Sequence, residues 1–114
     1  MGRARRRAAP VSDLALLYTT LPTRADAERV AQTVLAERLA ACVNLLGASS
    51  ALYRWEGAIE RAEEVPALFK TTVELAERLR ERIEALHPYD LPVVEIWPVA
   101  ATSAVWRWVS TETG

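Results

Sequence analysis

From Cys42 to Thr71 the chain is almost continuously β-forming, and it folds back once, at Glu56–Gly57. A short dipeptide ending in glycine, set between β-branched and aromatic runs, is a tight-turn signal, so the two arms must pair antiparallel. Each arm spans about 14 residues where a typical strand has about 5 or 6, which predicts a hairpin whose end projects beyond a small sheet. An isolated two-stranded ribbon is marginal in water. This one carries Tyr53, Trp55 and Ile59, so its outer part is expected to pack on another subunit. The first arm divides into Cys42–Leu46 and Leu52–Glu56 around Gly47–Ser50, which reads as a bend or bulge inside one strand. Pro66 cannot donate to a ladder and belongs at an edge or a bulge.

Before this hairpin, the apolar run Leu14–Tyr18 leads into Thr19 and Thr20 and suits a buried strand. Thr23 followed by Asp26 is a helix-start signal, and Ala27, Val30, Ala31, Val34 and Leu35 share one helical face, predicting a helix to about Ala41. After the hairpin, Thr71 with Glu74 gives a second start signal. Leu75, Leu79, Ile83 and Leu86 form an apolar stripe opposite Glu77, Arg78, Glu81 and Arg82, and Pro88 ends that helix at His87. Val93–Val99 reads as a strand and Thr102–Thr111 as a last helix. The order is that of an α+β fold, the ferredoxin-like split βαβ sandwich: one antiparallel sheet with two helices on one face, a long hairpin between the second and third strands, and an extra C-terminal helix.

With 114 residues, 51% hydrophobic and 25% charged, the composition supports one globular domain, placed at 12–114 behind a basic tail at 1–11 that is read as disordered. Arg3, Arg5, Arg6 and Arg7 lie in that tail, and without them ten basic residues face fifteen acidic ones. An acidic body argues against nucleic acid or an anionic membrane as partner. No run of about 18 apolar residues suggests a membrane span, and no apolar leader follows the basic start. With a single cysteine, this points to a reducing cytoplasm. A domain of this size is a poor host for a deep enclosed active site.

Four motifs, Arg38-Leu39-Ala40-Ala41-Cys42-Val43-Asn44, Tyr53-Arg54-Trp55-Glu56-Gly57, Phe69-Lys70-Thr71 and His87-Pro88-Tyr89-Asp90-Leu91-Pro92, occur in order. From about Leu14 to about Val109 the sequence resembles the CutA family, the divalent-cation tolerance proteins. The resemblance implies a ferredoxin-like subunit in a tight homotrimer, with hairpins exchanging edge contacts and clefts between subunits. It also implies metal tolerance, copper or other divalent-metal binding in some members, and no enzymatic activity. No cofactor is required, and the partners expected are further copies of the chain and a metal ion or small molecule at the subunit clefts. In copper-binding members the ligands look like a cysteine at the end of the first strand and a histidine pair before Pro-Tyr; here Tyr18 and Leu86 stand at two of those places. Weak, histidine-dependent binding is the expectation. The wider architecture is similar to that of PII signalling trimers, which makes a small-molecule signalling trimer the first alternative. An acylphosphatase-like hydrolase is the second, but Thr20-Leu21-Pro22-Thr23-Arg24 lacks the glycines of a phosphate cradle, and one histidine supplies no triad.

Each candidate residue has a plain alternative. Cys42 is a soft ligand for Cu(I) or Zn, or a buried inert thiol. His87, the only imidazole, is a metal ligand shared between subunits or a cap on a helix C-terminus. Tyr53, Trp55 and Glu56 line a ligand platform or, for the aromatics, a subunit contact, with the aromatics on one face of the hairpin and Arg54 and Glu56 on the other. Glu60, Glu63 and Glu64 offer oxygens to a hard cation or simply solvate a sheet edge. Lys70 and Glu95, set in apolar strands, line a cleft or form structural pairs, and Tyr89 is a further cleft candidate. Trp97, Trp106 and Trp108 are expected in the core or an interface.

Overall fold

The computed structural model describes residues 11–114, and the arginine-rich stretch 1–10 lies outside the described residues. Strand β1 (Val11–Leu21) begins at the last residue of the stretch read as tail. It pairs antiparallel with β4 (Ala58–Thr72) on one side and β5 (Glu95–Ala101) on the other. Further out, β4 pairs with β2 (Cys42–Leu45) and then with β3 (Ser49–Trp55). The order β2-β4-β1-β5, with β3 continuing β2 along β4, is the ferredoxin-like one.

Side-chain alternation sorts the sheet into two faces. Ala15, Leu17 and Leu21 of β1 and Val65, Ala67 and Phe69 of β4 point to one of them. Helix α1 (Arg24–Ala36) covers that face with Ala27, Val30 and Val34, and α2 (Val73–Leu86) with Ala76, Leu79 and Ile83; all are buried in one core. Phe69, with no exposed surface, contributes about 1.5–3 kcal/mol by burial alone. The third helix, α3 (Ser103–Glu112), lies on the opposite face, where Leu14 and Val109 are buried apart from the main core. It shields only one end. The rest of that face, with Leu16, Tyr18, Leu68, Lys70 and Trp97, is only partly covered.

Element boundaries depart from the sequence reading for local reasons. Helix α1 stops at Ala36, not near Ala41, because Arg38 adopts a left-handed conformation (φ 60°). The Arg38 N–H donates to the Leu35 carbonyl and the Leu39 N–H to the Val34 carbonyl, each at 3.0 Å, a Schellman closure with arginine where glycine is usual. Arg38 is held from the other end of the chain: its Nε and Nη2 donate to the Gly114 and Thr111 carbonyls at 3.0 and 2.7 Å. The cap of α2 is Thr72, one residue beyond the expected Thr71, whose buried hydroxyl donates to the Leu39 carbonyl at 2.7 Å. Strand β5 starts at Glu95, two residues after the expected start at Val93.

Pro66 sits in an interior strand opposite the break between β2 and β3. Its carbonyl accepts from the Leu46 N–H at 2.9 Å, so its nitrogen also faces the interruption, where no ladder donor is needed. The Leu46 carbonyl in turn accepts from Arg24 Nη2 at 2.6 Å. Beyond this joint β3 and β4 run out as a ribbon to a turn in which Glu56 (φ 49°) and Gly57 (φ 85°) are both left-handed, the two-residue type that matches strand twist. The ribbon gives the molecule extents of 58 × 30 × 21 Å and a radius of gyration of 16.3 Å, against about 13 Å for a compact domain of roughly 100 residues.

Candidate functional site

The candidate residues fall in three places. The first is the loop between α2 and β5. His87 terminates α2, and its ring makes a closed set of contacts. The Tyr89 N–H can only donate, so Nδ1 accepts from it at 3.2 Å; the Thr20 carbonyl can only accept, so Nε2 carries the proton and lies 2.9 Å from it and 3.1 Å from Thr19 Oγ1. Thr19 Oγ1 passes the network on to the Val93 carbonyl at 2.8 Å. Burial pushes the His87 pKa below the ordinary imidazole value, partly offset by the Thr20 hydrogen bond. Tyr89, whose ring centroid is 5.0 Å from that of His87, donates its hydroxyl to Glu64 at 2.7 Å. Burial and this carboxylate hold its phenol well above the usual range. The pair ties the loop to the base of the hairpin.

The second place is the half-open face of the sheet. Cys42 pairs across β4 with Lys70, Lys70 with Leu16, and Leu16 with Trp97. In the next row Asn44, Leu68, Tyr18 and Glu95 follow in the same way. Tyr18 stacks on Trp97 at 5.3 Å and 13°, the Trp97 indole donates to Glu95 at 3.2 Å, and Lys70 Nζ stands 6.0 Å from the Trp108 ring centre. Cys42 is half-buried here, not enclosed in the core. Trp97 and Trp108 are surface residues at 40% and 44% exposure.

The third place is the hairpin, where register corrects the expected division into an aromatic and a charged face. Directly paired residues share a face: Tyr53 with Glu60 and Trp55 with Ala58 on one side, Leu52 with Arg61 and Arg54 with Ile59 on the other. Each face is therefore apolar and charged at once. Leu52, 68% exposed, is the additional surface residue, beside Ile59 at 72%, which the sequence had already marked. The Glu56–Gly57 turn already determined their pairing, so the signal was present in the sequence.

These three places do not form a metal centre within one chain. Both His87 nitrogens are engaged, Cys42 lies on the sheet face away from the α1–α2 core, and among the described residues no group of three or more His, Cys, Asp or Glu side chains converges. The carboxylate run also separates: Glu63 bonds Ser50 on the Leu52 and Arg54 face of the ribbon, while Glu64 bonds Tyr89. Arg24, the one arginine of the loop compared with a phosphate cradle, is bound to the Leu46 carbonyl. No helix among the described residues is long and apolar enough to cross a membrane.

The family model for the CutA1 divalent ion tolerance protein matches residues 15–112. The divalent-cation tolerance protein CutA of Pyrococcus horikoshii is 51% identical over 79 residues, covering 69% of this chain and 76% of that protein. The structure of CutA from Xylella fastidiosa superposes with a TM-score of 0.87 at 36% identity, covering 90% of this chain and all of that one. A protein of Archaeoglobus fulgidus described as a periplasmic divalent cation tolerance protein CutA gives a TM-score of 0.83 at 31% identity, covering 87% and 97%. Hairpin, loop and sheet order thus agree with the match along nearly the whole described chain, and the chain belongs to the CutA1 divalent ion tolerance family.

Proposed function

We propose that this protein serves divalent-metal tolerance as a non-enzymatic homotrimer in the cytoplasm, and that any copper or other ion it holds is bound weakly, by groups that neighbouring subunits complete. The observation that carries the reading is the apolar surface of the ribbon: Leu52 and Ile59 are more than two-thirds exposed and Trp55 is at 45%. Large apolar side chains this exposed, on both faces of one projecting ribbon, mark an interaction site. The separation of His87 from Cys42 favours ligand sets shared between chains over a single-chain centre, since a tetrahedral site needs four donors. The cytoplasmic placement rests on the one free, half-buried thiol, although the Archaeoglobus relative is described as periplasmic. Light scattering on tag-free protein should give about three times the chain mass, and calorimetry should find only weak Cu(II) binding. A monomer at micromolar concentration, or sub-micromolar Cu(II) binding by a monomeric form, would overturn the proposal.

A further inference from the structure

At the end of the sheet opposite the ribbon, β1 makes a bulge against β5. Val11 pairs with Ala101 and Leu14 with Val99, so Ser12 and Asp13 together face Ala100. Bulges re-aim side chains, and Asp13 here joins Thr72, Val73, Glu74 and Trp106 around a hollow of about 210 Å³. A second hollow, of about 280 Å³, shares Thr72 and Glu74 and continues past Ser110 and Thr113 to Gly114. Trp106, Ser110 and Thr113 lie four and three residues apart, one stripe of α3 and its cap. The groove they form against the first turn of α2 is acidic. Asp13 and Glu74 are exposed, neither forms an ion pair with a described residue, and no described cationic side chain lines either hollow. Arg38, at the Gly114 end, is committed to the Gly114 and Thr111 carbonyls. The amino terminus of α2 gives Glu74 a partial positive charge but no counter-ion.

We propose that this groove receives the arginine-rich start of the same chain, with Arg5, Arg6 and Arg7 set on Asp13 and Glu74 and against the Trp106 ring. Continuity favours this occupant: ten residues precede Val11, and Asp13, two residues further on, is only about 7 Å along the strand. Arg7 is four residues before Val11, about 13 Å of extended chain, enough to turn back across Ala8-Ala9-Pro10 and reach either carboxylate. Charge favours it too. The first ten residues hold four arginines and no carboxylate, while the rest has fifteen acidic residues against ten basic ones. A guanidinium group suits the lining, since its planar fork matches a carboxylate and its face stacks on an indole. Exposed ion pairs are individually weak, but a short tether holds the tail at a local concentration in the millimolar range, so weak contacts suffice. Docked there, the arginines are withheld from polyanions that a free basic arm would attract.

Docking of this kind is independent of how copies assemble, and the indole N–H resonance of Trp106, assigned by its loss in Trp106→Phe, reads it directly. Changing Arg3, Arg5, Arg6 and Arg7 together to Gln in the full chain should move that resonance at low salt. Raising salt from about 0.05 M to about 1 M should bring the unaltered chain toward the same position. In a chain already carrying Asp13→Asn and Glu74→Gln, both conservative changes at exposed positions, the arginine substitutions should have no further effect. A synthetic peptide of residues 1–10, added at millimolar concentration to the arginine-free chain, should restore the shift, and its all-glutamine version should not. An unmoved resonance, or an equal movement with and without the two carboxylates, would overturn the proposal. So would a shift that follows protein concentration but not the arginines, which would assign the groove to a second copy.

Discussion

His87 shows how neighbours decide what a residue can do. As the only histidine before a Pro-Tyr pair it invites a metal-ligand reading, yet both ring nitrogens are engaged with Tyr89, Thr20 and Thr19. Protonating Nδ1 would set a second N–H against the Tyr89 N–H. Burial lowers the folded-state pKa, so the unfolded chain takes up the proton more readily than the native one. The stability associated with neutral His87 is complete above about pH 6.5, the unfolded value, and is lost as pH falls through the depressed folded value. Melting temperatures between about pH 7.5 and pH 5 should therefore fall more steeply for wild type than for His87→Gln, whose amide can donate and accept but does not titrate. Parallel curves would show that the imidazole proton is not coupled to folding. Arg38 makes the complementary point, since nothing in Ala36-Glu37-Arg38-Leu39 announces a left-handed arginine. Its conformation depends on carbonyls at residues 111 and 114, more than seventy positions away in sequence, so the helix before it was read too long.

At the scale of elements, the turn of the ribbon is the most legible piece and also improvable. Glu56 holds φ 49° with a side chain poorly suited to it, whereas asparagine tolerates that region and Asn-Gly is the preferred pair for such turns. Glu56→Asn should stabilise the ribbon by about 0.5 kcal/mol, seen as slower amide exchange across β3 and β4; faster exchange would mean that Glu56 makes a contact the turn needs. Strand and helix order, the long hairpin and the break opposite Pro66 were readable because period, turn residues and a missing donor are local properties. The start of α2 was displaced by one residue because Thr71 and Thr72 are equally good caps in sequence, and only the fold commits the Thr71 hydroxyl to the Leu39 carbonyl and leaves Thr72 to accept from the Leu75 N–H. That α3 crosses to the opposite face was not readable, since its stripe of Val105 and Val109 would suit either side.

For the whole molecule, sequence named the residues of the candidate site but not their grouping. Cys42, Lys70 and Glu95 share a sheet face, His87 and Tyr89 a loop, Tyr53 and Trp55 a ribbon. Distances between strands set these groups, and spacing along the chain does not encode them. If assembly covers the ribbon, Trp55→Ala should weaken it by about 2 kcal/mol or more per copy while each chain keeps its core of Phe69, Leu79 and Ile83; unchanged association would return Trp55 to ordinary surface. None of the four tryptophans lies in that core: Trp55, Trp97 and Trp108 are 40–45% exposed and Trp106 is partly covered. In most small proteins indole fluorescence follows unfolding of the interior. Here the emission wavelength reports on the surfaces where copies of the chain would meet, so dilution, more than denaturant, is the variable to which its colour should respond.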